Sequence, residues 1–295
     1  MQKKEDKRII TVFLLPMLIL YAVFQLYPIV LNLFYSVLNW NGITKTANFI
    51  GLANYKEILG DGLFWNAIAN NIVYALIGTF FQVTVSFLLA YLVEYSTFRH
   101  KKIAQIIFIM PIVATPAAIG IIMKSIFSYD GVVNSIISGM GMEKIQWFME
   151  PKWAFVMIVL ITVWKETGTL FIYWIAGFQM VPKTAIEAAK VDGVTQSELL
   201  RYILIPLMKP VILTVSSITF LNGLKIFDMI QTLTSGGPYF STDMISTYIY
   251  RTAFSSSFGA PRLSYASAAV VICLLFLAAC SLVFRLLQKN RKQAE

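Results

Sequence analysis

The length of the apolar runs most constrains what this chain can fold into. Six stand out, at about residues 9–30, 67–93, 103–123, 153–176, 210–224 and 263–284. A helix needs roughly 20 consecutive apolar residues to cross a bilayer. A soluble core buries one face of each element and has no use for runs this long. The composition agrees: 58% of the 295 residues are hydrophobic and only 13% charged, with a mean hydropathy of +0.70. Soluble domains lie nearer half apolar and a quarter charged. The chain is therefore expected to be all-helical, a polytopic membrane protein with six spans, and one domain over residues 1–295. The fifth run is the shortest, because Lys209 and Lys225 bracket it. The first follows a basic start and shows no small-residue cleavage site, so it is expected to stay as a permanent span.

A net charge of +9 could indicate nucleic acid, but its distribution indicates membrane topology. With six spans and both termini inside, Lys3, Lys4, Lys7, Arg8, Arg99, Lys101, Lys102, Lys183, Lys190, Arg201, Lys209, Arg285, Lys289, Arg291 and Lys292 fall on one side. The other side receives Lys45, Lys56, Lys144, Lys152, Arg251 and Arg262. Such an imbalance places the richer side in the cytoplasm. The excess then serves topology and anionic lipid, with no nucleic-acid partner.

Catalytic and metal chemistry find little to use. There is no G-x-x-x-x-G-K-[ST], no G-x-S-x-G and no H-E-x-x-H, and His100 is the only histidine. Cys273 and Cys280 lie seven apart in the last run, about 10 Å along a helix. That is too far for a disulfide, so both read as small apolar fillers. The chain is expected to be no enzyme and to hold no cofactor or metal. Any ATP and Mg would belong to partner subunits.

One stretch breaks the pattern: "IEAAKVDGVTQSELLRYILIPL", residues 186–207. Val181-Pro182 opens a short helix, since proline suits the first turn. Ile186, Ala189 and Lys190 share a face with Ala185 and Val181. Gly193 ends the helix in the left-handed conformation. Thr195 and Glu198 then fit a capping box that starts a second helix. Pro206 and Pro210 are expected to kink or restart it before the next span. This gives a helix, a glycine turn and a second helix, on the cytoplasmic side. Local rules leave two readings open, a plain connector or a docking surface made low by Ala188 and Ala189.

These residues carry a resemblance. "VPKTAIEAAKVDGVTQSELLRYILIPLMKP" is similar to the cytoplasmic "EAA" loop of permeases in binding-protein-dependent ABC importers. Glu187, Ala188, Ala189 and Gly193 match its E-A-A-x-x-x-G, and Asp192 is typical of the sugar-transporting branch. "LLPMLILYAVFQLYPIVLNLFYSV" (14–37), "FIGLANYKEIL" (49–59), "KIFDMIQTLTSGGP" (225–238) and "STYIYRTAF" (246–254) resemble the first permease of a maltose-type sugar-importer pair. The resemblance implies a type I importer permease fold and half of a translocation path. It implies a second, different permease, two ATP-binding ATPase subunits and an extracytoplasmic solute-binding protein as partners. It also implies that residues of about 179–209 are the coupling loop, with Glu187, Ala188, Ala189, Asp192 and Gly193 at the ATPase interface. Gly236, Gly237 and Pro238 would serve an outer gate or a contact with the binding protein.

Charged groups inside spans are functional candidates, because burying them is costly. Lys165 and Glu166 fall in the fourth span. As neighbours they are expected to point apart and to need other partners. Lys225 and Asp228, three apart, are expected to pair on one helix face. A sugar path wants hydrogen-bonding groups and flat aromatics. Trp164, Thr167, Tyr173 and Trp174 supply these in the fourth span, and Ser216, Ser217, Thr219 and Asn222 in the fifth. The candidate path is Trp164, Glu166, Tyr173, Ser217, Asn222 and Asp228. Structural pairing, interfacial aromatics and helix–helix hydrogen bonds are the competing accounts of these residues. Glu166 and Asp228 also keep an ion-coupled secondary transporter open as an alternative.

Overall fold

The computed structural model describes residues 13–95, 101–254 and 259–292. Lys3, Lys4, Lys7, Arg8, Arg99 and His100 lie outside them, as do the side chains of Lys289, Arg291 and Lys292. The described residues form twelve helices and one small ribbon. In order they are α1 (Phe13–Ser36), β1 (Leu38–Asn39), β2 (Asn48–Phe49), α2 (Ala53–Leu59), α3 (Gly62–Tyr95) and α4 (Lys101–Val113). Then come α5 (Pro116–Ile126), α6 (Val132–Gly139), α7 (Pro151–Gln179), α8 (Lys183–Val191) and α9 (Gln196–Gly223). The last are α10 (Asp228–Leu233), α11 (Ile245–Phe254) and α12 (Leu263–Lys292).

Among the described residues, five single helices are long and apolar enough to cross a membrane: α1, α3, α7, α9 and the 263–286 part of α12. The third run gives α4 and α5, bent by 100° at Ala114–Thr115, where a continuous span is expected from sequence. Proline explains the break. Pro116 occupies the first helical position of α5 and holds Thr115 extended, at ψ 149°. The Thr115 hydroxyl then accepts from the Ala118 N–H at 3.3 Å and caps the new helix.

The fifth run also differs. It starts earlier than the apolar residues imply, and α9 runs unbroken for 28 residues through Pro206 and Pro210. A π-helical turn at Leu199–Leu204 precedes Pro206, and the Ile205 N–H bonds to the Leu200 carbonyl five residues back. The widened turn absorbs a proline that lacks an N–H and crowds the preceding carbonyls. α1 uses the same device, with a π turn at Ala22–Leu26 just before Pro28.

The chain divides into two compact units. The first comprises residues 1–64 and 249–276. Here the antiparallel ribbon pairs Leu38 with Phe49 and Asn39 with Asn48. The "FIGLANY" stretch closes the end of α1. Buried Asn54 donates to the carbonyls of Ser36 (2.9 Å) and Leu38 (2.8 Å), and the Tyr55 hydroxyl bonds the Ser36 hydroxyl at 2.7 Å. Arg262 grips Glu57 through both guanidinium nitrogens, at 2.7 and 2.6 Å, and holds its carboxyl below the usual range.

The second unit comprises residues 65–248 and 277–295. It contains two apolar clusters. One gathers Phe87, Tyr91, Phe171, Trp174, Phe178, Leu204 and Met208, and it includes Ala189 and Leu199 from the charged segment. The other gathers Tyr74, Ile119, Met157, Ile158, Ile161, Ile230 and Leu233.

Candidate functional site

The charged segment folds as local rules predict. α8 ends in a Schellman arrangement: the Gly193 N–H bonds the Lys190 carbonyl at 3.2 Å and the Val194 N–H bonds the Ala189 carbonyl at 3.0 Å. Gly193 sits at φ +72°, where a Cβ is strained. The capping box follows at once. The Thr195 N–H donates to the Glu198 carboxylate at 2.9 Å, and the Thr195 hydroxyl accepts from the Glu198 N–H. From α3 the Tyr91 hydroxyl reaches the Gln196 carbonyl at 2.9 Å, which fixes the start of α9.

Burial sorts the candidate coupling residues. Glu187, Ala188, Asp192 and Gly193 are exposed, whereas Ala189 is buried and anchors α8 to the apolar cluster. One residue escaped sequence reasoning: Val191 is 88% exposed beside them. Its position one residue before the Asp-Gly turn, outside the inward face of Ile186 and Ala189, was the available signal.

α7 and α9 connect this segment to a cavity of about 230 Å³. Its lining brings together Tyr74 and Gln82 of α3, Pro116 of α5, Thr162, Lys165, Glu166, Thr169 and Tyr173 of α7, Thr219 and Asn222 of α9, and Lys225 to Asp228. Four of the six candidate path residues are among them: Glu166, Tyr173, Asn222 and Asp228. The other two are not. Trp164 is half-exposed and off the lining, and the buried Ser217 hydroxyl bonds back to the Leu213 carbonyl at 2.7 Å. Thr167 likewise bonds the Val163 carbonyl. Trp174 is core: fully buried, it packs edge-on to Phe87 and donates to the Ser86 hydroxyl at 2.7 Å. Helical position marks these residues as polar or aromatic, but it cannot tell which neighbouring helix each one meets.

The ion pairs also differ from expectation. Lys165 and Glu166 do pair, at 2.6 Å, because the long lysine stem bends back to its neighbour. Lys225 and Asp228 form no ion pair with each other, since α9 ends at Gly223 and α10 begins at Asp228, so no single helix face carries both. Each sits where the helix dipole favours it, the lysine past a C-terminus and the aspartate at an N-terminus. Both are exposed on the cavity.

The "TSGGP" turn is rigidly held. Gly236 lies at φ +87°, and a Cβ there would come within 2.7 Å of the Asp243 carboxylate. Ser235, Tyr239 and Phe240 also have positive φ, and Gly237–Pro238 is cis. Three asparagines of α3 pin the loop. Asn66 donates to the Phe240 carbonyl at 2.8 Å, and Asn70 donates to the Phe240 and Asp243 carbonyls, both at 3.1 Å. Asn71 accepts from the Ile245 N–H and donates to the Gly223 carbonyl, both at 3.2 Å. Asn71 thus ties the loop to the end of α9 at the cavity, a link that sequence reasoning missed. The loop presents Tyr239 at 90% exposure.

Known proteins share this architecture. The lactose transport system permease protein LacF of Rhizobium radiobacter is 31% identical over 284 residues, covering 95% of this chain and 94% of LacF. The sulfoquinovosyl glycerol transport system permease protein SmoG of Agrobacterium fabrum is 31% identical, covering 90% of this chain and 86% of SmoG. A chain in the crystal structure of a bacterial ABC transporter involved in the import of the acidic polysaccharide alginate superposes with a TM-score of 0.86. It covers 98% of both chains at 22% identity and so shares the fold. The family described as binding-protein-dependent transport system inner membrane component matches residues 7–293. Its match over nearly the whole chain, on a bundle of membrane-length helices with an exposed E-A-A turn, places the protein in that family of importer permeases.

Proposed function

We propose that this chain, acting as one permease domain over residues 1–295, forms half of the path for a sugar or sugar-derived solute. An extracytoplasmic binding protein delivers the solute, a second and different permease completes the path, and two ATPase subunits carry the ATP and Mg. The protein is a transport subunit of the cell membrane with both termini cytoplasmic. The observation that carries the reading is the pairing, within one unit, of an exposed helix–turn–helix with a polar cavity. α9 belongs to both, and α7 lines the cavity and supplies Phe171, Trp174 and Phe178 to the apolar cluster that holds Ala189 and Leu199.

At about 1.5 Å per residue, α9 spans about 42 Å from the capping box to the cavity. A push on the segment of about 179–209 therefore reaches the lining through a continuous helix. Glu187, Ala188, Asp192 and Gly193 offer the low contact face, Val191 adds an apolar knob, and buried Ala189 ties the face to the bundle. Tyr173, Asn222, Glu166 and Asp228 offer solute a ring face, donors and acceptors. Gly236, Gly237 and Pro238 shape an outer turn whose exposed Tyr239 suits a gate or a binding-protein contact. Sugar as cargo is supported by the hydroxyl-matching lining and by the names of the relatives.

The test is uptake of labelled sugars into proteoliposomes holding the assembled importer and its binding protein. Uptake is expected with ATP inside and not with a proton or sodium gradient alone. Gradient-driven uptake by this chain without ATP would overturn the reading in favour of a secondary transporter.

A further inference from the structure

Accepting the cavity as the solute path, we propose that it is built for an uncharged, hydroxyl-rich solute and discriminates against anionic sugars. Among its lining residues four ionise, and they cancel: Lys165 and Lys225 against Glu166 and Asp228. The chain's overall charge of +9 therefore resides elsewhere. An anion is held by a cation only as far as that cation is not already compensated by a neighbouring carboxylate. Lys165 is held by Glu166 at 2.6 Å, with its side chain only 11% exposed. Lys225 faces the same cavity as Asp228, three residues on, so an anionic group drawn to the lysine meets the carboxylate as well.

A neutral sugar fits this balance. Each hydroxyl both donates and accepts. One hydroxyl can donate to Asp228 while a neighbour accepts from Lys225, and such charge-assisted bonds are the strong ones. Asn222, three residues before Lys225, adds a donor and an acceptor, and Tyr173, 43% exposed, offers a ring face. Lys225 and Asp228 are thereby assigned as a specificity pair. The break between α9 and α10 displays both on the cavity, where their charges balance without a direct ion pair.

The experiment is saturation-transfer NMR on the chain purified with its second permease in lipid nanodiscs. This reads the cavity without the binding protein's own selectivity. The probes are glucose, galactose, lactose and maltose against glucuronate, galacturonate and digalacturonate. At least one neutral sugar is expected to bind about tenfold tighter than its uronate counterpart, with the signal lost in Asn222→Ala. Asp228→Asn, which leaves the lining net positive, is expected to narrow or invert that ratio. Lys225→Gln, which leaves it net negative, is expected to widen it, and the two variants check each other should one fail to fold. Uronates binding as well as neutral sugars, with the signal still lost in Asn222→Ala, would overturn the proposal and leave the path reading standing. Sugar signals indifferent to both Asn222→Ala and Tyr173→Ala would overturn the path reading itself. No signal from any probe would overturn the proposal.

Discussion

Asn71 shows how much one side chain can hold. It is fully buried, and its amide satisfies the Ile245 N–H on one side and the Gly223 carbonyl on the other. Removing it leaves the Ile245 N–H short of a partner, at a cost of about 1–3 kcal/mol, and takes from the Gly223 carbonyl one of its two donors, the other being the Ile226 N–H at 3.3 Å. Asn71→Ala is expected to lower the thermal midpoint in detergent. Asn66→Ala, whose bond is exposed, should change it far less. Equal midpoints for the two variants would contradict this account. In the sequence, Asn66, Asn70 and Asn71 are polar residues at the start of an apolar run. Nothing local shows that they reach a loop about 170 positions away. Lys165 and Glu166 make a similar point. Their helix positions diverge, yet a flexible stem closes the pair, so Cβ direction alone misleads for lysine.

At the scale of elements, the charged segment was legible because its rules are local. A glycine past the helix end, a Thr-x-x-Glu box and the apolar contacts of Ile186 and Ala189 all lie within a few residues. The paths of the spans were less legible. Whether a proline restarts a helix or is absorbed by a π turn depends on hydrogen bonds that can slip by one residue, and hydropathy does not record them. The 100° bend between α4 and α5 was missed for the same reason. The capping box gives a prediction at this scale. Thr195→Ala removes the hydroxyl that accepts from Glu198 and is expected to destabilise the start of α9 by about 1 kcal/mol. Hydrogen exchange should then rise at residues 196–200 and stay unchanged at 215–223. Uniform exchange along α9 would contradict it.

For the whole molecule, the sequence showed a membrane bundle and the position of its polar turn, and the resemblance named the class. Which polar residues face the path required tertiary packing. Trp174 and Ser217 turned into the bundle, while Lys225 and Asp228 met the cavity from a break between helices. The central claim is that the exposed turn transmits ATPase motion to that cavity along α7 and α9. Ala188 tests it most directly, being exposed, free of backbone strain and away from the apolar cluster. The measurement is uptake together with solute-stimulated ATP hydrolysis in proteoliposomes carrying Ala188→Trp in the assembled importer. Both are predicted to fall about tenfold or more, as expected when a small contact residue is replaced by a bulky one, with the chain present at normal abundance. Uptake and stimulated hydrolysis both at the unsubstituted level would contradict the account.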